Sequence, residues 1–208
     1  MTLDAPALRR LAARRLHAGP QLLAARGDHD LNPDTADERN PEGLATPAAV
    51  LVPIVTRPAG LMVLLTTRTA DLPSHPGQVA FPGGKVDPGD KGPLDAALRE
   101  AEEEIGLARR FVEPLGFLDT YQTGSGFLIA PAVALVTEGF SLALNAREVA
   151  SAFEVPLAFL LDPANHKRQS REWRGKLRHF YVMAYGEHYI WGVTAGMIRN
   201  LHDRLAGP

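Results

Sequence analysis

Apolar and polar positions along this chain follow two different periods, and between them they place most of its elements. Ala48 to Val55 is a short apolar run that reads as a buried strand. Arg57-Pro58-Ala59-Gly60 supplies turn chemistry and Leu61 to Thr67 reads as the returning strand, which predicts a hairpin. From Pro93 to Ile105 the spacing becomes helical: at about 100° per residue, Leu94, Ala97, Leu98, Ala101 and Ile105 share one arc. Pro93 suits the first turn of that helix, and Gly106 suits the left-handed residue that ends it. Gly116 to Thr120 and Phe127 to Val136 read as strands around a Gly/Ser loop at 124–126. Residues 146–161 have mixed spacing, and Pro156 interrupts any helix there. Arg178 to Tyr185 and His188 to Trp191 predict a second hairpin turning at Gly186-Glu187, and Thr194 to Leu205 a closing helix with Ala195, Ile198 and Leu201 on one face. Strands interleaved with helices predict an α/β sandwich.

The central helix also carries a second stripe. Glu100, Glu103 and Glu104 fall within an arc of about 100° beside the apolar one, whereas Glu102 points elsewhere and reads as a solvated charge. Like charges three or four residues apart cost a helix roughly 0.2–0.5 kcal/mol per pair. A hard divalent cation removes that cost, and Mg²⁺ in particular is held by one or two carboxylates together with substrate phosphates. Phe81-Pro82-Gly83-Gly84 stands just upstream, a glycine turn that lets backbone approach a ligand closely. Phosphate chemistry assisted by a metal is the first expectation.

Composition narrows the remaining classes. With 208 residues, 45% of them hydrophobic, the chain is long enough to bury one full core, so residues 1–208 are expected to form a single domain. It has no cysteine, which excludes disulfides, thiolate metal sites and a cysteine nucleophile, and which suits a cytoplasmic location. No apolar run approaches the roughly 20 residues that span a bilayer. Residues 1–26 carry Arg9, Arg10, Arg14, Arg15 and Arg26 against Asp4, and Leu8, Leu11 and Leu16 make them a basic surface helix in preference to a transit peptide. Residues 27–47 crowd Gly, Asp, Asn and Pro and read as a loop. The seven histidines lack paired ligand spacing, so a zinc hydrolase is disfavoured. Lys167-Arg168-Gln169-Ser170-Arg171, with Trp173 and Arg174, reads as a solvated loop. That basic run is too short, and a net charge of −2 too near neutral, to argue nucleic-acid binding.

Residues 84–107 resemble the Nudix box, G-x5-E-x7-R-E-U-x-E-E-x-G-U with U a bulky aliphatic. Gly84, Arg99, Glu100, Glu103, Glu104, Gly106 and Leu107 match it, and Ala101 is smaller than the usual aliphatic. The first glutamate position is Asp90 when counted from Gly84, but eight residues instead of seven then precede Arg99; counted back from Arg99 it is Lys91. The resemblance implies a Nudix-type α/β/α sandwich with a mixed sheet. It also implies Mg²⁺ or Mn²⁺ held by Glu100, Glu103 and Glu104, with one of these glutamates also orienting the attacking water and Arg99 holding a glutamate in place. Similar enzymes often carry an accessory glutamate or base in a later segment. Glu148 is the candidate, although by itself it reads as an exposed acid.

The box region, 81–107, follows a stretch that resembles the coenzyme A signature of one Nudix subfamily, L-L-T-x-R-(S/A)-x3-R-x3-G-x3-F-P-G-G. Leu64, Leu65, Thr66, Arg68, Gly77, Phe81, Pro82, Gly83 and Gly84 match at the right spacing, and Thr69 replaces the small residue. Pro73 replaces the second arginine, and a proline has neither charge nor donor to offer a phosphate. The resemblance implies a pyrophosphatase that cuts coenzyme A or its thioesters into 3′,5′-ADP and 4′-phosphopantetheine, with Arg68, Gly77, Phe81, Gly83 and Gly84 at the substrate. Two alternatives stand beside it: a broader pyrophosphatase for ADP-ribose or dinucleotides, and a nucleotide sensor without turnover. The expected partner is a small molecule, not a nucleic acid or a membrane, and the oligomeric state is open, a homodimer included.

Overall fold

The computed structural model describes residues 3–33, 45–173 and 175–207. Its centre is β2 (Thr46–Arg57), whose residues 48 to 55 are all buried. Such a run is continuous because both faces of the strand are covered. On one side β2 pairs in parallel with β8 (Phe127–Val136), from Thr46↔Phe127 to Val55↔Val136. On its other side it changes partner along its length. Its first half pairs with β5 (Gly83–Lys85), Val50 opposite Gly83, and its end pairs with β3 (Gly60–Arg68), Ile54 opposite Val63. Pro53 falls between the two pairings, where a missing N–H disturbs the ladder least. The hairpin expected around Arg57 and Gly60 is therefore present, with Gly60 at φ 121°.

Further strands complete a mixed nine-stranded sheet. β4 (Val79–Ala80) and β9 (Val149–Pro156) pair with β3, while β6 (Val112–Phe117) and β7 (Tyr121–Gln122) pair with β8. β9 corrects the sequence reading of 146–161: the segment is a strand followed by α3 (Leu157–Leu160), so Pro156 ends a strand and does not break a helix. β1 (Arg26–Gly27), at the start of the expected 27–47 loop, pairs with β7; residues 34–44 of that loop lie outside the described residues.

Alternation along β2 divides the core into two layers. Val50, Val52 and Ile54 face one way, together with Leu8 of α1 (Ala5–Arg15), Leu157 of α3 and Ile198 and Leu201 of α4 (Gly192–Leu205). Ala49, Leu51 and Val55 face the other way, with Ala97, Ala101 and Ile105 of α2 (Pro93–Ile105). Helices thus cover both faces of a mixed sheet, the α/β/α sandwich expected. The basic N-terminal helix is shorter than the 1–26 expected, running only over Ala5–Arg15 because Leu16 turns extended. It docks through Leu8, which is 0% exposed; burying such a side chain contributes roughly 1.5–3 kcal/mol. Arg9 pairs with Glu113 at 2.6 Å on its outer side. Asp119 ties the helix end to α4: Arg204 Nε donates to its Oδ2 at 2.9 Å, and His17 Nε2 lies 2.9 Å from its Oδ1.

A smaller antiparallel sheet, β10 (Lys167–Trp173), β11 (Lys176–Tyr185) and β12 (His188–Trp191), packs beside α4. The 167–173 stretch read as a loop is a strand whose residues are all exposed. Its apolar content is too low to announce it, and its order comes from the β11 ladder. Arg174 lies outside the described side chains. Among the described residues no helix is long and apolar enough to cross a membrane.

Candidate active site

The site grows from the two ends of α2. Gly106 ends the helix at φ 70°, and Leu107 N–H reaches back to the Ala101 carbonyl at 3.3 Å. A Cβ on Gly106 would stand 2.9 Å from Ala143, so conformation and space both require glycine there. Beyond this stop, Asn145 N–H donates to the Glu104 carbonyl at 2.8 Å, which moors the 143–149 segment against the acidic end of α2. Asn145 Nδ2 in turn donates to Glu148 Oε1 at 3.0 Å.

Arg99 organises the other end. It forms a two-pronged pair with Asp90, Nε to Oδ1 at 2.9 Å and Nη2 to Oδ2 at 3.0 Å. Its Nη1 donates to both Glu100 Oε1 and Glu103 Oε2 at 3.0 Å, and Nη2 also reaches the Lys85 carbonyl at 3.2 Å. The ambiguity in the box is thereby resolved: Asp90, not Lys91, stands where the pattern has its first glutamate. Lys91 N–H instead meets the Asp95 carboxylate at 3.1 Å, so the extra residue is absorbed where the loop enters the helix. Arg99, surrounded by carboxylates, is held firmly in its charged form, its guanidinium pKa raised first by the Asp90 pair.

Glu104 is the most unusual group. It is 4% exposed, and its Oε2 accepts one hydrogen bond from Gly83 N–H at 3.2 Å. Burial pushes its carboxyl up to about 7; Gly83 opposes the rise, Glu100 and Glu148 add to it, and Arg68 eases it. Glu100 is also raised, chiefly by burial and against the pull of Arg99. Glu100, Glu104 and Glu148 therefore sit close enough to repel one another, with Arg68 beside them. Arg68 Nε is buried with no hydrogen-bond partner among the described residues.

The remaining sequence candidates separate. Glu103 is 57% exposed and turns to Arg99 at the rim, not inward with Glu104. Phe81 is 3% exposed and packs in the core, so its side chain has a packing role and does not face a ligand. Gly77 makes a left-handed turn at φ 67° with open space beside it. Gly83 sends its N–H to Glu104 but has β2 where a Cβ would stand, 2.4 Å from the Ala49 carbonyl, whereas a Cβ on Gly84 would face α2, 2.4 Å from Glu100 Oε1. Gly84→Ala is accordingly expected to displace Glu100, lowering kcat at least about tenfold while the thermal midpoint moves little; steady-state kinetics beside a melting curve measures both. Asp90 as the clamp and Asn145 as the holder of Glu148 were not anticipated, although Asn145-x-x-Glu148 has the spacing of a turn whose amide can reach the acid.

These residues also suit a hard cation. Among the described residues no three His, Asp or Glu side chains form a ready-made metal cage. Mg²⁺ needs none, because one or two carboxylates with substrate phosphates and water suffice. A buried carboxylate with one N–H partner and two acidic neighbours is the donor set such an ion would relieve.

A NUDIX domain model matches residues 45–173, more than half of the chain. The chain belongs to the Nudix family. Nudix relatives agree: it is 45% identical over 158 residues to the "Uncharacterized Nudix hydrolase NudL" of Photorhabdus laumondii, covering 76% of this chain and 84% of that one. With the protein of the same name from Yersinia enterocolitica the identity is 44% over 164 residues, 76% of this chain and 80% of that one. Among solved structures, the Nudix hydrolase RenU from M. smegmatis overlaps 55% of this chain and 72% of its own at 27% identity, with a TM-score of 0.48, too loose a likeness to argue from.

Proposed function

We propose that this Nudix protein is a Mg²⁺- or Mn²⁺-dependent hydrolase that cuts the phosphoanhydride of a nucleoside diphosphate joined to another group, and that its substrate is coenzyme A or a thioester of it. The observation that carries the reading is the convergence of Glu100, Glu104 and Glu148 beside the orphaned Arg68 Nε. Mutually repelling acids next to an arginine whose buried Nε lacks a hydrogen-bond partner suit a ligand that brings both a cation and a phosphate. A protein that only sensed a nucleotide would have no use for such a costly cluster.

Glu100 and Glu104 would hold the ion, with Glu103 at the rim. Once bound, it supplies charge neutralisation at the phosphates and a bound water of lowered pKa. Arg68 is assigned to orient a phosphate oxygen through its free Nε. Glu148, steadied by Asn145, is assigned to orient the attacking water and take its proton. The water oxygen bonds to phosphorus, the bridging P–O bond breaks, and a phosphate monoester leaves. Arg99 touches no substrate in this scheme; it positions Glu100 and straps the 85–92 loop to the helix.

The coenzyme A assignment rests on the Leu64-to-Gly84 signature. A second reading, a broader pyrophosphatase for ADP-ribose or dinucleotides, is favoured by Pro73, which is exposed where the signature has an arginine. Incubation with coenzyme A, ADP-ribose and diadenosine polyphosphates, with and without Mg²⁺, followed by chromatography of the products, separates the two. Metal-dependent release of 3′,5′-ADP from coenzyme A is expected. Faster cleavage of ADP-ribose overturns the substrate assignment, and binding without turnover overturns the enzyme.

A further inference from the structure

β10 is the outer strand of the small sheet, paired among the described residues with β11 alone. Along such a strand alternate residues turn their N–H and C=O groups to opposite sides, so half of the backbone groups of β10 point away from β11. An edge of that kind offers itself to a further strand, and most are blunted by proline, by a bulge or by shortness. β10 has no proline, runs seven residues and keeps an unbroken register with β11, from Lys167↔Val182 to Trp173↔Lys176. Every one of its residues is exposed.

Charge is the remaining guard, and its pattern is selective. Arg168 and Glu172 stand four residues apart, about 13 Å along an extended chain, too far to pair with each other. Neither makes an ion pair among the described residues. A second β10, antiparallel and centred on Ser170, gives both a partner. Arg168 of each copy then stands directly opposite Glu172 of the other, Gln169 meets Arg171, Lys167 meets Trp173, and Ser170 faces its counterpart. All seven residues pair, and no like charges meet. Because backbone groups alternate, the register slips only in two-residue steps. One such step sets Lys167 against Arg171 in one direction and Arg171 against Arg171 in the other. Opposite charges directly across two strands stabilise the pair and like charges oppose it, so this edge favours its own copy in one register.

We propose that β10 is a dimerisation edge, at which two copies of this chain join their small sheets about a two-fold axis at Ser170, clasped by two Arg168–Glu172 pairs. Glu172 lies opposite Leu177 on β11, so Leu177 shares the face on which the incoming Arg168 arrives. Leu177 is 59% exposed, and the aliphatic stem of that arginine passes beside it.

Sedimentation equilibrium of the full chain, from micromolar to millimolar concentration, tests the edge. The wild type is expected to form a concentration-dependent dimer that high salt weakens. Arg168→Glu and Glu172→Arg should each weaken it at least about tenfold, because both symmetry-related pairs turn repulsive at once. An equimolar mixture of the two variants should recover a dimer of wild-type strength, since every acid then faces a base again; that rescue also shows that both variants fold. A wild type that stays monomeric at millimolar concentration overturns the interface. A dimer indifferent to either reversal overturns it too, as does a mixture that fails to associate.

Discussion

Glu104→Gln is expected to stabilise the metal-free protein above neutral pH while lowering its kcat by more than about a hundredfold. The sign follows from burial. The carboxyl ionises at an ordinary 4.5 when unfolded and at about 7 when folded. Below the lower value both states keep the proton, and the residue contributes nothing to the pH dependence of folding. Between the two the unfolded chain releases its proton first, so the native state loses stability progressively. Above the upper value the loss is complete, on the order of 3 kcal/mol at about 1.4 kcal/mol per tenfold change in proton affinity. Glutamine removes the charge and still accepts from Gly83 N–H, so the packing survives. Urea unfolding of metal-free wild type and variant from about pH 4 to 8 should give curves that coincide in acid and separate through this window. Added Mg²⁺ should narrow the separation by relieving the wild type alone. Equal stability at about pH 8 without metal would show that Glu104 bears no buried charge.

Arg99→Ala should lower kcat about 10- to 100-fold, with KM moving much less. The side chain holds Asp90 by two prongs and spans Glu100, Glu103 and the Lys85 carbonyl together. Its loss frees the 85–92 loop from α2 and leaves Glu100 without its nearest cation. Arg99→Lys should recover only a small part, because one ammonium cannot span a fork of acceptors. Faster amide hydrogen exchange confined to 85–92 would accompany the kinetic loss. A fall in activity with exchange unchanged there would mean that Arg99 acts on substrate and not through the loop.

What was legible in the sequence was what local spacing controls. The Ala48–Thr67 hairpin, the 178–191 hairpin and the helix from Pro93 to Gly106 were readable because each carries its own period and its own turn or cap residue. β9 was illegible: Val149, Phe153 and Val155 alternate weakly, and the strand exists because β3 offers it an edge. β10 was less legible still, a polar exposed segment ordered by its pairing with β11. Within the site, Glu100 and Glu104 were correctly grouped by the helical wheel. That Arg99 draws Glu103 outward is an i,i+4 contact within the helix itself, but that Phe81 belongs to the core depends on neighbours distant in sequence, which no wheel shows.

By itself, then, the sequence determined the family, the acidic helix and the glycines that let it approach a turn, since these are properties of short contiguous segments. Tertiary structure alone decided which carboxylate is buried, which aspartate clamps Arg99, and that Glu148, steadied by Asn145, comes close enough to Glu104 to raise its pKa. The reason is physical: desolvation and charge–charge coupling act through space, and their strength is set by contacts that only the folded chain brings together.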